Sequence, residues 1–433
     1  MSGRPILSLP LRQAARQLPV RARNIHNVSM RLPPRPQQAL RRAPLQQFQQ
    51  RRHAGSFIEN AKNLTKQNPL SIALAVVVIL AGAGSVVYAN YVYQSYILAA
   101  FHKYPEPVAK KLRRALYYTN VDLQPKEALK YYKQALKEAE EIQMDPFSDE
   151  IIGVKIQVAK LLEDIQQWPK AIEVLERTRA DNLAWLEQFG SLDHNKEHRT
   201  NVLAKTVGIS VKLGELYGHP AVYDRDAAQE RLVWAVEAVL KEQQRRINNK
   251  VKEEEEGAWM GNDQIGAALE ALAHSYEAKS QHYLATPLFL QALSLYPAKD
   301  CHSVVLMNNL ASSLAQQSPA AARAAQTYAT SQNISERPTG PPASRESMIE
   351  NAKQWAQKAL DVAAGIAAPE RNQECDIGCA VATHNLGEFA EMSSDISLAR
   401  KKYQEAVSLS RAIGFEEGVE MSSARLRELA KAG

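Results

Sequence analysis

Two patterns of apolar residues divide the chain. The first is a run: Gln67 to Phe101 holds thirty-five residues without one Asp, Glu, Lys, Arg or His, and its centre, LSIALAVVVILAGAGSVVY (Leu70–Tyr88), is almost solidly aliphatic. A hydrocarbon core of about 30 Å takes roughly 20 residues of helix at 1.5 Å each. The aliphatic side chains of the run together favour insertion by roughly 3–6 kcal/mol, and no charge opposes them. The pattern predicts one transmembrane helix within 67–101, with its core at 70–93. Tyr88, Tyr91, Tyr93 and Tyr96 gather at its C-terminal end, where amphipathic rings favour the headgroup level. A lipid bilayer is the first expected partner.

The second pattern is a recurrence. From Tyr104 on, apolar positions keep the helical period, Pro and Gly sit between runs, and strand-like alternation is missing, so 104–433 reads as all-α. A small–large–small triplet at i, i+4, i+7 returns six times. The copies are Ala128/Tyr132/Ala135, Ala171/Leu175/Thr178, Ala228/Leu232/Ala235, Ala285/Phe289/Ala292, Ala352/Ala356/Ala359 and Ala399/Tyr403/Ala406. Upstream of each lies a helix with its own small residue: Ala115, Ala159, Gly214, Ala273, Ala311 and Gly387. Small residues let the two helices of a hairpin cross closely, while bulky ones fill the gap to the next hairpin. The copy at Ala268–Pro297 resembles the tetratricopeptide repeat (TPR) pattern. Glu416–Ala430 then supplies a terminal helix to cover the last apolar face.

The first alanines of the triplets lie 43, 57, 57, 67 and 47 residues apart, wider than the TPR norm of about 34. Longer helices or insertions must account for the excess. Residues 318–344 end rich in Pro, Gly, Ser and Thr and are expected to form a flexible insertion within hairpin five. KVKEEEEG (Lys250–Gly257) reads as a solvated loop or helix end.

Charge separates the N-terminal segment from the rest. Residues 1–58 hold eleven Arg, no Lys and no carboxylate, the composition of a mitochondrial transit peptide. RRHAGS (Arg51–Ser56) offers a processing site near Ala54. The whole chain carries +6 and residues 1–58 carry +11, which leaves −5 on residues 59–433. A mildly acidic remainder has no electrostatic footprint for nucleic acid, and that class of partner is dropped. The expected architecture is an all-α, TPR-like α-solenoid of about six helical hairpins, preceded by one transmembrane helix and a disordered transit peptide. A transit peptide ahead of a stop-transfer span places the chain in the inner mitochondrial membrane, with the repeats in the intermembrane space. Flanking charge does not fix that orientation, because Lys62 and Lys66 face Lys103, Lys110, Lys111, Arg113 and Arg114 across the span. Ala81–Ser85 forms a small-residue patch where another helix could approach.

Candidate chemistry is sparse. His194-Asn195-Lys196-Glu197-His198 fits H-x-x-E-H, in which two His one helical turn apart bind zinc and Glu activates water. Its polar flanks favour a solvated linker. Cys301, Cys375 and Cys379 are the only thiols, and Cys375 and Cys379 stand at i, i+4. They read first as small core residues, with a structural bridge or a metal as the other options. No P-loop, dinucleotide fingerprint or nucleophile elbow is present. The expectation is a protein that is not an enzyme, with no cofactor, no metal and no catalytic residue. Stacked hairpins would instead hold an extended peptide or partner helix on a concave face lined by first helices. A clamp for chaperone C-terminal tails is disfavoured, since KKLRRALYYT (Lys110–Thr119) has Arg113 but places Tyr117 where an asparagine is needed.

Three segments carry a closer resemblance. FHKYPEPVAKKLRRALYYTN (Phe101–Asn120), ALKYYKQAL (Ala128–Leu136) and QMDPFSDEIIGVKIQVAKLLE (Gln143–Glu163) resemble the fungal TPR adaptor of the mitochondrial i-AAA protease. The likeness extends to the order of transit peptide, span and repeats, and is most specific over residues 101–190. It implies an adaptor that binds unfolded proteins in the intermembrane space and passes them to the protease, next to a companion inner-membrane subunit. It assigns no individual contact residues. The alternative is a membrane-tethered TPR assembly factor for a respiratory complex such as complex III.

Overall fold

The computed structural model describes residues 69–92, 94–95, 101–331 and 344–432. The transit peptide over 1–58, its processing site, Tyr93 and Tyr96 lie outside them. Regular structure among the described residues is entirely helical. The chain divides into two compact units.

The described part of the first unit is chiefly one helix, α1 (Pro69–Val92). Its apolar side chains are open on all sides: Leu70 is 85% exposed, Ile79 68% and Val87 70%. A core helix of a water-soluble domain would bury most of that surface. None of its apolar window is covered by protein, and the helix is long and apolar enough to span a membrane. Ser85 donates to the carbonyl of Ala81 at 2.8 Å, which keeps its hydroxyl satisfied within the apolar segment.

The second unit is a series of helix pairs. Hairpin one is α2 (Glu106–Asn120) and α3 (Pro125–Glu141), and hairpin two is α4 (Asp149–Asp164) and α5 (Trp168–Phe189). Hairpin three is α6 (Lys196–Gly218) and α7 (Arg225–Asn249), followed by the one-turn α8 (Glu253–Glu256). Hairpin four is α9 (Asn262–Ala278) and α10 (His282–Leu295). Hairpin five joins α11 (Cys301–Gln316) to α13 (Arg345–Ala364), with α12 (Pro319–Ser331) between them. Hairpin six is α14 (Gln373–Met392) and α15 (Ile396–Ala412), and α16 (Glu416–Ala432) closes the series. Each second helix packs on its own first helix and on the first helix that follows, and α15 packs on α16 in the same way. This is the stacking of a TPR-like helical solenoid.

The triplets explain the packing. All eighteen of their side chains are buried, none more than 3% exposed. The large central residue presses on the small residue of the partner helix. A methyl added at Gly387 would meet the Tyr403 ring at 2.8 Å, and one at Gly214 would overlap Leu232. Hairpin five, whose triplet is all alanine, is filled from its neighbour: Phe389 of α14 packs on Ala311, Ala315, Ile349, Ala352 and Ala356. Three hairpin turns share one closure. Gln166, Ser280 and Ser394 take positive φ of 58–64°, and the next residue donates back five positions, as in Gln281 to Tyr276 at 2.8 Å. Side-chain caps open several helices, including Ser148 on Ile151, Asp224 on Ala227 and Asp395 on Leu398.

Two expectations are corrected. The insertion at 318–344 is not all loop, because its alanine-rich first half forms α12, which touches α10. The acidic run at 250–257 is not simply solvated, since Glu256 is buried against hairpin three by an ion pair with Arg245.

Candidate functional site: the face of the first helices

Glu270, His274 and Glu277 lie at i, i+4, i+7 on one face of α9. The stacking brings α11 and then α14 alongside. His302 of α11 contacts Glu270 through Nε2 at 3.1 Å and Glu374 of α14 through Nδ1 at 2.7 Å. Asn309 of α11 donates to Glu270 at 3.2 Å, and His274 meets Glu277 at 3.1 Å. Three successive first helices are thus stitched by a half-buried ladder of carboxylates and imidazoles.

Burial sets the strength of that ladder. It works against the charged form of both imidazoles, but the hydrogen bonds they donate to the carboxylates outweigh it. His274 is lifted to about 9 by Glu270 and Glu277, and His302 to about 10 by Glu270 and Glu374. Burial would also raise the Glu270 carboxyl, yet the two His hold it down at about 2. At neutral pH the rungs are ion pairs.

Charged stitching recurs between other first helices. Lys212 of α6 reaches Glu163 of α4 at 2.8 Å, and Arg425 of α16 pairs with Glu391 of α14. His384 of α14 shares a 2.8 Å hydrogen bond with Ser422 of α16. In hairpin three, buried Glu242 receives Arg199 at 2.8 Å, Arg245 at 2.7 Å and Arg246 at 3.0 Å. Burial pushes its carboxyl up, and the three guanidinium groups overcome this and hold it at about 2. Between α11 and α14, Asn308 donates to the carbonyl of Gly378 at 2.8 Å, while neither end of the buried Asn385 amide has a protein partner.

The H-x-x-E-H string is split between two elements. Its geometry needs both His on one helix, but α6 begins at Lys196, so His194 sits in the preceding turn. His198 turns to Asp145 at 3.1 Å and to the Trp185 ring. No cluster of three or more potential ligands occurs among the described residues. The reading of the thiols as small core residues is corrected for two of them, since Cys301 of α11 and Cys375 of α14 form a disulfide. The i, i+4 neighbour Cys379 is left free. Burial pushes its thiol up against the pull of Arg371, so it is a poor thiolate. The shallow depression beside Asp226, Gln229 and Lys279 is open and crossed by an ion pair of 2.5 Å, and does not enclose a small molecule. In hairpin one, Arg113 is paired with Glu106 and Lys111 with Glu138, which further weakens the peptide-tail clamp.

The spacing of Glu270, His274 and Glu277 was legible in ALEALAHSYEA. Their partners were not, because Glu270 and His302 are 32 residues apart and His302 and Glu374 are 72 apart. Only the stacking brings them together.

No family model matches the chain. It is 29% identical over 338 residues to a TPR repeat-containing protein of Schizosaccharomyces pombe, covering 76% of this chain and 79% of the relative. Among solved structures, BtubC of P. vanneervenii aligns at 13% identity with a TM-score of 0.42, covering 67% of this chain and 92% of its own. A putative kinesin light chain of Podospora anserina with TPR-like repeats aligns at 15% identity and 0.38, covering 64% and 99%. The fold assignment rests on the packing described above. TPR repeat proteins are generally non-catalytic scaffolds that bind other proteins.

Proposed function

We propose that the protein is a membrane-anchored TPR adaptor of the mitochondrial inner membrane. In this reading it binds unfolded or partner proteins in the intermembrane space and delivers them to the i-AAA protease, beside a companion inner-membrane subunit. One observation carries it: a single chain couples an apolar helix that no protein covers to a long stack of hairpins whose first helices present paired charges and amides. Such a chain holds polypeptides at a bilayer. The acid-free, Arg-rich segment before the span supports the mitochondrial address. The disulfide supports the intermembrane-space side, since structural bridges belong to oxidising compartments. The likeness of residues 101–190 to the fungal adaptor supports the choice of partner.

Affinity purification of the tagged chain from mildly solubilised mitochondrial membranes tests the reading. Co-purification of an AAA protease is the expected outcome. Recovery of respiratory-complex subunits without the protease would replace it with the assembly-factor reading. In mitoplasts, trypsin should digest the repeats, and protection until lysis would place them in the matrix.

A further inference from the structure

Counting from the small residue of each first helix, three positions recur: five before it, one before it and two after it. In hairpins two and three they are Val154/Val158/Leu161 and Ile209/Leu213/Leu216. In hairpin six they are Ala382, Leu386 and Phe389. These positions are buried or half-buried, on first helices that each pack against the second helix of the preceding hairpin. Hairpin one has no hairpin before it. Its three are Lys110, Arg114 and Tyr117, and all are exposed.

We infer that this open end of the repeat array is a docking surface for an anionic bilayer, the same bilayer that α1 spans. A cap that only keeps the array soluble needs no particular sign of charge and no exposed apolar groups. This one has both. Residues 101–142 hold nine Lys and Arg against six Asp and Glu, a net +3, while residues 143–433 hold 31 against 40, a net −9. On α3, Lys126, Lys130, Lys133 and Lys137 stand at i, i+4, i+7, i+11, and all are exposed. The two helices join these charges through aromatic rings: Arg114 and Lys130 each lie 5.6 Å from the Tyr131 ring, which stacks on Tyr118. At the hairpin tip Val121 is 74% exposed and Leu123 64%. Cations, tyrosines and a few open aliphatic side chains are what a headgroup layer accepts.

The tether leaves the surface within reach. Thirteen residues separate Val92 from Glu106, a span of at most about 45 Å when fully extended. The excess negative charge of the later hairpins is repelled by the same lipids, so hairpin one is the part of the array driven toward the membrane.

The test uses the full chain reconstituted into vesicles of phosphatidylcholine, with or without phosphatidylserine. Leu123→Cys, in a Cys379→Ser background, carries a polarity-sensitive fluorophore. The expected result is a blue shift and quenching by lipid-borne quenchers in the anionic vesicles only, weakened by salt. Lys110→Glu with Arg114→Glu should lower the docked fraction at least about tenfold. Hydrogen exchange of the unlabelled chain should show protection of residues 110–124 in the same vesicles. Identical spectra and exchange in both vesicle types, or a shift indifferent to the charge reversal, would overturn the inference. A surface meant for another protein subunit gives that negative result, because only lipid is present. Carbonate resistance of the same vesicles confirms that α1 is inserted, so failure of docking is read separately from failure of the anchor and does not bear on the adaptor reading.

Discussion

Where hairpin one shows Lys110, Arg114 and Tyr117 to solvent, hairpin six sets Ala382, Leu386 and Phe389 against its neighbours. The same helical positions serve opposite ends. Around hairpin one the ties are few: surface ion pairs, a tyrosine stack and one packed neighbour. Around hairpin six they are many: a disulfide to α11, a bonded imidazole under α16, and α16 itself as a lid. In a linear array each unit is stabilised by its neighbours, so the two ends should respond separately to perturbation. The open end keeps surface for contact. The closed end keeps the stack from fraying.

The largest expected effect tests the closed end. Cys301→Ser removes a bridge across 74 residues, and the C-terminal hairpins should lose ~4 kcal/mol. Urea unfolding followed by hydrogen exchange should show the loss in hairpins five and six, with hairpin one unchanged. A uniform loss along the chain would abolish the contrast between the ends.

Next comes Glu270→Gln, which leaves His274 with Glu277 alone and His302 with Glu374 alone and should cost roughly 2–3 kcal/mol for the charged hydrogen bonds lost. The unsubstituted ladder also has a defined pH response. Because both imidazoles are raised when folded, to about 9 and about 10, their contribution is complete below the unfolded value of 6.5. It fades as pH climbs toward 9–10. Glu242 behaves in the opposite sense: held at about 2 against an ordinary 4.5, it stabilises above 4.5 and loses that effect as pH falls toward 2. Denaturation midpoints across pH should therefore drop at both extremes, and Glu270→Gln should flatten the alkaline limb and, because Glu270 is itself held at about 2, part of the acid limb.

Gly387→Ala ranks third. Its added methyl meets Tyr403, and overpacking of this kind costs about 2 kcal/mol. A neutral result would mean that hairpin six is looser than its counterpart positions imply. The smallest effect belongs to the open end, where Lys110→Glu with Arg114→Glu should change thermal stability by under about 0.5 kcal/mol. A large loss there would reveal a structural duty for these two side chains beyond the contact of Arg114 with the Tyr131 ring.

Much of the fold could be read before any coordinates, because a close helix crossing needs small residues at fixed intervals. That requirement wrote Ala128/Tyr132/Ala135 and its five relatives into the sequence. Other features escaped for a common reason: they are made by stacking and not by local periodicity. Cys375 drew attention to Cys379 one turn away, whereas its true partner arrives on α11. Glu256 sat in a run of four glutamates, and nothing local distinguished the one that Arg245 holds. The helix α12 was a different kind of miss. SPAAARAAQTYATS has strong helical propensity, but the Pro and Gly further along dominated the reading of that segment. For the candidate site, the i, i+4, i+7 spacing of Glu270, His274 and Glu277 went unremarked among the repeat positions, and the helices that complete it lie beyond any local pattern.

Phe389 carries a consequence for how the array can be shortened. Its ring belongs to hairpin six but occupies the interior of hairpin five, where three alanines leave room for it. A protein trimmed after Gly365 would retain both helices of the fifth pair and lose the plug between them. The hole would have the volume of a benzyl group, and Ala311, Ala315, Ala352 and Ala356 around it are too short to close it. The last two pairs therefore make one indivisible block, and any functional truncation of this chain must keep both or discard both.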